Sequence, residues 1–400
     1  MENAVSLPVI RLNPKADPRA IRRGAPWVFA DELVLDRRTR ALAPGSIARL
    51  EDAERRPLGV VAVNPLSKIV ARMLDPDPEA VIDRAWLAQR LARALALRER
   101  LHDAPFYRLV HAEGDGLPGL VIDRFGDVTA MQPNAAWADR LAGEIAAALQ
   151  EVAGVATVVL NASGRARVLE GLAEETRLIA GTLSGPVPVP MNGVTYMADL
   201  LGGQKTGLYY DQRENHAFAA RLAKGGRVLD LFTHVGGFAL AALAGGATRA
   251  LAVDSSAPAL ALAEAGARAS GLAECFEARR GDVFAVLEAL AGEGAAFETV
   301  VADPPAFAPN RAALEKGLRA YERVALMAAA RVAPGGFLVL CSCSHAAGLD
   351  AFRTASLRGI GRAGRRAQLL RVGFAGPDHP QHPALAETGY LKALFFRLDG

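Results

Sequence analysis

Short apolar runs separated by turn-forming residues fill the first part of the chain. The runs are Trp27–Phe29, Ser46–Leu50, Leu58–Val63 and Ile69–Leu74, and Pro44-Gly45, Arg56-Pro57 and Asn64-Pro65 punctuate them. Runs of this length between turn formers predict strands, and a small β-barrel is the simplest architecture that closes them. Asp75-Pro76-Asp77-Pro78 breaks the pattern. Apolar residues then recur at helical spacing among arginines over Trp86–Leu101, which predicts an amphipathic helix. Leu120–Asp127 predicts a strand and a turn, Trp137–Leu149 an alanine-rich helix, and Thr157–Leu160 another strand. This middle region reads as α+β and carries no reactive constellation. Gly185–Pro190, with prolines at 186, 188 and 190, predicts a linker.

From about Asn192 the period changes again. Strand-like runs at Arg227–Leu231, Ala250–Val253, Thr299–Ala302 and Gly336–Leu340 alternate with helical patterns at Phe238–Leu243, Pro258–Ser270, Phe284–Leu290 and Ala313–Val332. Such alternation predicts a parallel sheet covered by helices. The expected organisation is therefore a β-barrel over 1–75, a central α+β domain over 76–188 and an α/β domain over 189–400.

Composition narrows the class. The 400 residues are 51% hydrophobic and 22% charged, which excludes a disordered chain. No apolar stretch is long enough to predict a transmembrane helix, and Met1–Arg11 lacks the charge and core of a secretory signal. Three cysteines, Cys275, Cys341 and Cys343, are too few for a disulfide framework and fit a reducing cytoplasm. The net charge is only +3, yet residues 1–75 carry 13 Lys and Arg against 9 Asp and Glu. The basic excess, with Arg19, Arg22, Arg23, Arg37, Arg38 and Arg40, is compatible with RNA and equally with a solvated surface.

Open parallel sheets bind ligands beyond the C-terminal ends of their strands, so the residues just after each run carry the chemistry. After the first comes Asp230-Leu231-Phe232-Thr233-His234-Val235-Gly236-Gly237, whose glycines let backbone pass close to a ligand at a helix start. G-x-G-x-x-G is not matched, which argues against a dinucleotide. The second run ends at Asp254, placed to accept hydrogen bonds from ribose hydroxyls; with Ser255 and Ser256 it could instead cap the next helix. Asp282 could accept from an adenine amino group or serve as an N-cap. After the Thr299–Ala302 run, Asp303-Pro304-Pro305-Ala306-Phe307 makes a rigid turn with an aromatic ring able to stack on a planar group. The Gly336–Leu340 run ends in Cys341-Ser342-Cys343-Ser344-His345. Cys275 and Cys341 read as buried, inert thiols. Cys343, at a serine-flanked strand end, reads as a nucleophile.

Asp-Pro-Pro-Ala-Phe, Cys-Ser-Cys-Ser-His and the run Gln204-Lys205-Thr206-Gly207-Leu208-Tyr209-Tyr210-Asp211-Gln212-Arg213 together resemble the large-subunit ribosomal RNA cytosine-C5 methyltransferases of the RlmI type. The resemblance spans nearly the whole chain. Arg23–Phe29 is similar to the start of their RNA-binding PUA domain, Glu113–Leu120 to their central domain, and Gly389–Lys392 to their C-terminal strand. The resemblance implies a Rossmann-like domain dependent on S-adenosylmethionine (SAM), preceded by a PUA-like barrel and the central domain, acting on ribosomal RNA in the cytoplasm. It implies that the Cys343 thiolate adds to cytosine C6 and that C5 then takes the methyl group, with Asp303 on the N3 and N4 edge. Gly236, Gly237, Asp230, Asp254, Ser255, Asp282 and Asp303 would hold the cofactor, with Lys205, Thr206 and Gln212 near its methionine end. Pro304, Pro305 and Phe307 would face the base.

Two departures bear on the mechanism. Pro305 and Ala306 stand where related enzymes carry a second cysteine, leaving the group that assists elimination unassigned. Thr233-His234-Val235 replaces an expected Tyr-Thr pair before the glycines. His345 suits a base or a solvated loop. Asp378-His379-Pro380 and Gln381-His382-Pro383 lack further ligands at metal-binding spacing and read as a proline-rich loop. No DNA or membrane partner is expected, and a homodimer is one arrangement that would extend an RNA-tracking surface. Two other readings stand beside C5 methylation: methylation of a base nitrogen, which needs no cysteine, and a non-catalytic RNA-binding assembly factor.

Overall fold

Four of the N-terminal runs are strands of one sheet in the computed structural model, which describes residues 7–202 and 207–399. The strands are β1 (Val9–Arg11), β2 (Trp27–Phe29), β3 (Ser46–Glu51), β4 (Pro57–Val63) and β5 (Ile69–Asp75), in the order β1-β3-β4-β5-β2. The three-residue β1 was not anticipated; only Ile10 of it enters the core, beside Leu50, Val61 and Val70. A second five-stranded sheet follows, ordered β10-β9-β8-β7-β6. It contains β6 (Phe106–His111), β7 (Leu120–Phe125), β8 (Val128–Pro133), β9 (Thr157–Ala162) and β10 (Glu175–Ala180). Helix α1 (Arg84–Leu101), capped by Asp83 accepting from the Trp86 amide, and α2 (Ala142–Ala153) contribute to the same core. The single helix expected over Trp137–Leu149 is two, Ala136–Arg140 and α2, broken at Leu141. These sheets belong to one compact unit, residues 7–184 together with Asp378–Ala386.

The returning segment is bound by charge. Arg98 is fully buried and donates two hydrogen bonds to Asp115 (2.6 and 2.7 Å), one to the Asp378 carbonyl (2.8 Å) and one to the Arg108 carbonyl (2.8 Å). Asp378 in turn accepts from the Arg108 amide and pairs with His379. Burial, with Arg108 alongside, pushes His111 down to about 2, so this histidine is neutral.

The second unit comprises residues 185–202, 207–377 and 387–399. It opens with a hairpin, β11 (Val187–Met191) and β12 (Val194–Ala198), where a linker was expected. Prolines are tolerated here because alternate residues of a two-stranded ribbon point their amides outward. Pro188 and Pro190 are exposed while Val187, Val189 and Met191 are buried.

The main sheet has the order β15-β14-β13-β16-β17-β19-β18. Its strands are β13 (Arg227–Leu231), β14 (Arg249–Asp254), β15 (Phe276–Arg280), β16 (Phe297–Ala302), β17 (Val332–Ser342), β18 (Ala367–Gly373) and β19 (Lys392–Leu398). The first five are parallel, and β19 runs antiparallel between β17 and β18. Helices α3 (Arg213–Leu222), α4 (Gly237–Ala244), α5 (Ala257–Ala269), α6 (Val283–Gly292), α7 (Leu314–Ala329) and α8 (Leu349–Arg362) cover it. Leu229, Val300 and Leu338 pack on α6, α7 and α8; Val301, Val339 and Cys341 pack on the opposite face with α3 and α4. Strand order reverses beside β13, which puts the ligand-binding crevice at the ends of β13, β14, β16 and β17. Residues 389–391, expected in the last strand, are coil, and β19 begins at Lys392.

Removing Arg98 would leave the nearly buried Asp115 carboxylate without its counter-charge, which costs about 3–5 kcal/mol. All three tryptophans, Trp27, Trp86 and Trp137, lie in the first unit. Arg98→Met is therefore expected to lower the urea midpoint followed by tryptophan fluorescence, with little change in a signal from the second unit.

Candidate active site

The chain leaves β13 under strain. Phe232 (φ 61°) and His234 (φ 51°) take left-handed conformations that non-glycine residues seldom adopt, and Gly236 (φ 85°) follows. Asp230, fully buried, holds this turn: its Oδ2 accepts from the Thr233 hydroxyl (2.5 Å) and the Ala239 amide (2.9 Å). Its Oδ1 has no partner, and burial pushes the carboxyl up to about 7. Asp230 thus shapes the turn from below instead of lying open on it. Gly237 is required by packing, because a Cβ there would stand 2.8 Å from the His216 ring. His216 is itself buried, and burial drives it down to about 3.

At the end of β14, Asp254 accepts from the His234 amide (2.9 Å) and the Ser256 amide (2.8 Å). The helix cap is Ser256, whose hydroxyl accepts from the Ala259 amide, so Asp254 is not consumed by capping. Ser255 is exposed, its carbonyl accepting from Arg280. Asp282 is exposed and caps α6 through the Ala285 amide. A half-exposed carboxylate beside a glycine turn, with an unpartnered buried oxygen beneath, suits the hydroxyls and amines of a nucleoside.

The other half of the crevice lies at β16 and β17, neighbours with Ala302 opposite Leu340. Asp303 and Cys343 leave the sheet at the same edge. Gln212, almost fully buried, donates to Asp303 Oδ2 (2.9 Å) and accepts from Asn215 (2.7 Å). Cys343 is half-buried, whereas Ser342 and Ser344 on either side are buried. The Tyr321 hydroxyl lies 2.9 Å from Ser342 Oγ and 2.8 Å from Ser344 Oγ, and Ser344 Oγ also accepts from the Ala308 amide (3.0 Å). One phenol thus ties the proline turn to the cysteine turn. Lys392 Nζ donates to the Ser344 and Ala347 carbonyls (2.7 and 2.9 Å). Burial, with Asp211, Asp303 and Cys343 nearby, pushes the Tyr209 phenol up, and its ring lies 4.9 Å from that of His234.

The structure gathers Gln212, Asp303 and Cys343 on one side and Asp230, Gly236, Gly237 and Asp254 on the other. Pro304 is buried and Pro305 exposed. Phe307 packs against Tyr321 and Phe232, at 5.0 and 6.4 Å between ring centres, so its ring is already engaged in the protein. Lys205 and Thr206 lie outside the described residues. Cys341 is buried, and burial raises its thiol well above the usual range. Cys275, expected inside, is exposed in a short turn before β15. His345 is exposed. Sequence reasoning missed Tyr321, Asn215, Tyr209 and Lys392; the first two sit on amphipathic helices where they read as packing residues. Among the described residues no group of His, Cys, Asp or Glu could hold a metal, and no helix is long and apolar enough to cross a membrane.

A parallel sheet that presents a carboxylate beside a strained glycine turn at its strand ends is the architecture of a Rossmann-like enzyme using a nucleoside cofactor. The chain belongs to the S-adenosylmethionine-dependent methyltransferase family, which matches residues 173–397, and a PUA-like domain matches residues 10–76. Its cofactor is therefore SAM. It is 37% identical over 410 residues to the ribosomal RNA large subunit methyltransferase of Deinococcus radiodurans, covering 99% of each chain. It is 32% identical to the ribosomal RNA large subunit methyltransferase I of Cronobacter sakazakii, covering 95% of this chain and 97% of that one. The fold matches a SAM-dependent methyltransferase from Streptococcus mutans with a TM-score of 0.81 and 18% identity, over 98% of this chain and 100% of the other.

Asp254→Asn, which keeps one side-chain oxygen for the backbone amides, is expected to weaken S-adenosylhomocysteine (SAH) binding roughly ten- to hundredfold, read by titration calorimetry, with a smaller loss of urea midpoint from the His234 and Ser256 amides. Asp230 supplies a pH test. Its folded pKa is raised, so the unfolded chain loses this proton first as pH climbs from about 4, and stability falls until about 7. Asp230→Asn should remove that decline from urea midpoints measured between pH 4 and 8.

Proposed function

We propose that the chain methylates C5 of a cytosine in large-subunit ribosomal RNA, with Cys343 as the nucleophile. The observation that carries this reading is the half-exposed Cys343 between two buried, hydrogen-bonded serines. A core cysteine needs no such frame, whereas a nucleophile must be held still and within reach. Support for the substrate comes from the relatives' names and from the cytosine chemistry that a strand-end thiol and carboxylate suit.

Bound SAM supplies a methyl group activated on a sulfonium. The chain's residues make the base able to accept it. The Cys343 thiolate forms a bond to C6, and the displaced electron pair moves to C5, which is otherwise a poor nucleophile. Asp303, oriented by Gln212, holds the N3 and N4 edge of the base. Once C5 carries the methyl group, its proton leaves to a base and the C6–S bond breaks, returning the thiolate. We assign the cofactor to Asp254, Gly236 and Gly237, with Lys205, Thr206 and Gln212 toward its methionine end. Residues 1–75 take the RNA, supported by their basic excess and by a cleft of about 590 Å³ bordered by Arg22, Arg23 and Arg90. The domain limits in this reading are 1–75, 76–188 and 189–400. The reaction takes place in the cytoplasm, without DNA or membrane, and a homodimer would extend the RNA path.

The test is methylation of ribosomal RNA transcripts with labelled SAM, comparing the intact chain with Cys343→Ala and mapping the modified atom. Label on cytosine C5 that disappears in the variant is the expected result. Label on a nitrogen that survives Cys343→Ala would replace the proposal with nitrogen methylation on the same fold. SAH binding with no transfer to any transcript would point to an assembly factor.

A further inference from the structure

Lys392 is a buried cation whose place the fold alone does not explain. It opens β19, opposite Ser342 of β17, and is only 4% exposed. Among the described residues its Nζ has two carbonyl partners, Ser344 O and Ala347 O, and no carboxylate. An ammonium moved out of water without a counter-charge costs several kcal/mol, and a methionine would fill the same space more cheaply. Both carbonyls belong to the turn that begins at Cys343. The charge therefore sits where a negative sulfur would offset it.

We infer that Lys392 is a positioning residue for the proposed nucleophile: its ammonium pins the Ser344–Ala347 turn and stabilises the Cys343 thiolate. This inference rests on the reading of Cys343 given above. The groups around the sulfur show why such a charge is needed. Asp303, from the end of β16, presents a carboxylate at the same edge of the sheet. Tyr209, ahead of α3, and Tyr321, on α7, are phenols held neutral by burial, and each feels the charge of Cys343. Cys341, on β17, is a buried thiol, and His345 lies exposed beyond the turn. Lys392, on β19, brings a cation to the turn that carries the sulfur. Burial draws its ammonium down to about 8, with Cys343 acting in the opposite direction, so the charge is present at neutral pH. The device differs from an imidazole base: Lys392 takes no proton from the thiol and contacts no substrate atom.

Two variants separate charge from tether. Lys392→Met removes both; Lys392→Gln removes the charge and keeps an amide donor, one bond shorter than the lysine, toward the two carbonyls. In a Cys275→Ser background, the rate of Cys343 alkylation by iodoacetamide is measured from pH 5 to 9 at its own peptide by mass spectrometry. SAH affinity reports that the fold is intact. The midpoint of the alkylation curve is expected to rise by about one unit in both variants, a roughly tenfold loss of thiolate below it. kcat for RNA methylation should fall in parallel, with KM for RNA unchanged. An unshifted midpoint in Lys392→Gln with normal SAH affinity would overturn the electrostatic role, even if activity fell. If Lys392→Met fails to fold, Lys392→Gln decides. Alkylation is read without RNA, so full methylation by Cys343→Ala would sink the nucleophile reading and leave the effect of Lys392 on the thiol standing.

Discussion

The edge of the second unit's sheet where the proline and cysteine turns meet depends on a single buried hydroxyl. Tyr321 projects from α7 into the gap between two turns and shares its oxygen between Ser342 and Ser344, while Ser344 also receives the Ala308 amide. Burial raises the phenol, so it stays protonated and the network keeps its proton. A satisfied polar network inside an apolar core fixes geometry because every alternative leaves a group unpaired. The proline turn after β16 and the cysteine turn after β17 are therefore locked in one arrangement, and Cys343 is the residue between the anchored serines that is left half-open. Phe307 and Phe352 pack against the same tyrosine ring, which ties this arrangement to the hydrophobic core.

The turn after β13 follows a different logic. Where the first turn is held by satisfied hydrogen bonds, the turn after β13 is held in unfavourable backbone geometry at Phe232 and His234. The cost of such conformations, of order 1–3 kcal/mol each, is met by the anchoring of Asp230 beneath the turn and by the amide of His234 on Asp254. The result orients one edge of Asp254 beside the glycine turn. Both halves of the crevice thus sit on a rigid sheet, with the groups that present themselves braced by groups that do not.

Much of this was legible in the residues. The alternation after Asn192 gave the parallel sheet, and residues after the strand ends gave Asp254, Asp303 and Cys343. What was hidden has physical causes. β15 is a short polar strand, and β18 is an edge strand whose Leu369 and Leu370 stay exposed, so neither shows the continuous apolar run of a central strand. The Pro188 and Pro190 strand was disguised as a linker because a two-stranded ribbon forgives outward prolines. Tyr321 and Lys392 act through atoms far along the chain, at Ser344 and Ala347, and no local period records a partner some 23 or 48 residues away. Cys275 was misplaced because a short polar turn carries no burial signal.

The Arg98 cluster has a consequence for the birth of the protein. Arg98 reaches its full set of partners only when the Asp378 carbonyl arrives, and Asp378–Ala386 is the last piece of the first unit to leave the ribosome. The N-terminal sheets therefore emerge early but hold an unfinished buried cation while roughly two hundred further residues are made. Completion of the first unit waits on nearly the whole chain, so a truncated polypeptide ending before residue 378 would keep the Arg98–Asp115 pair but leave the Arg98 donor and the Arg108 amide that meet Asp378 without that partner.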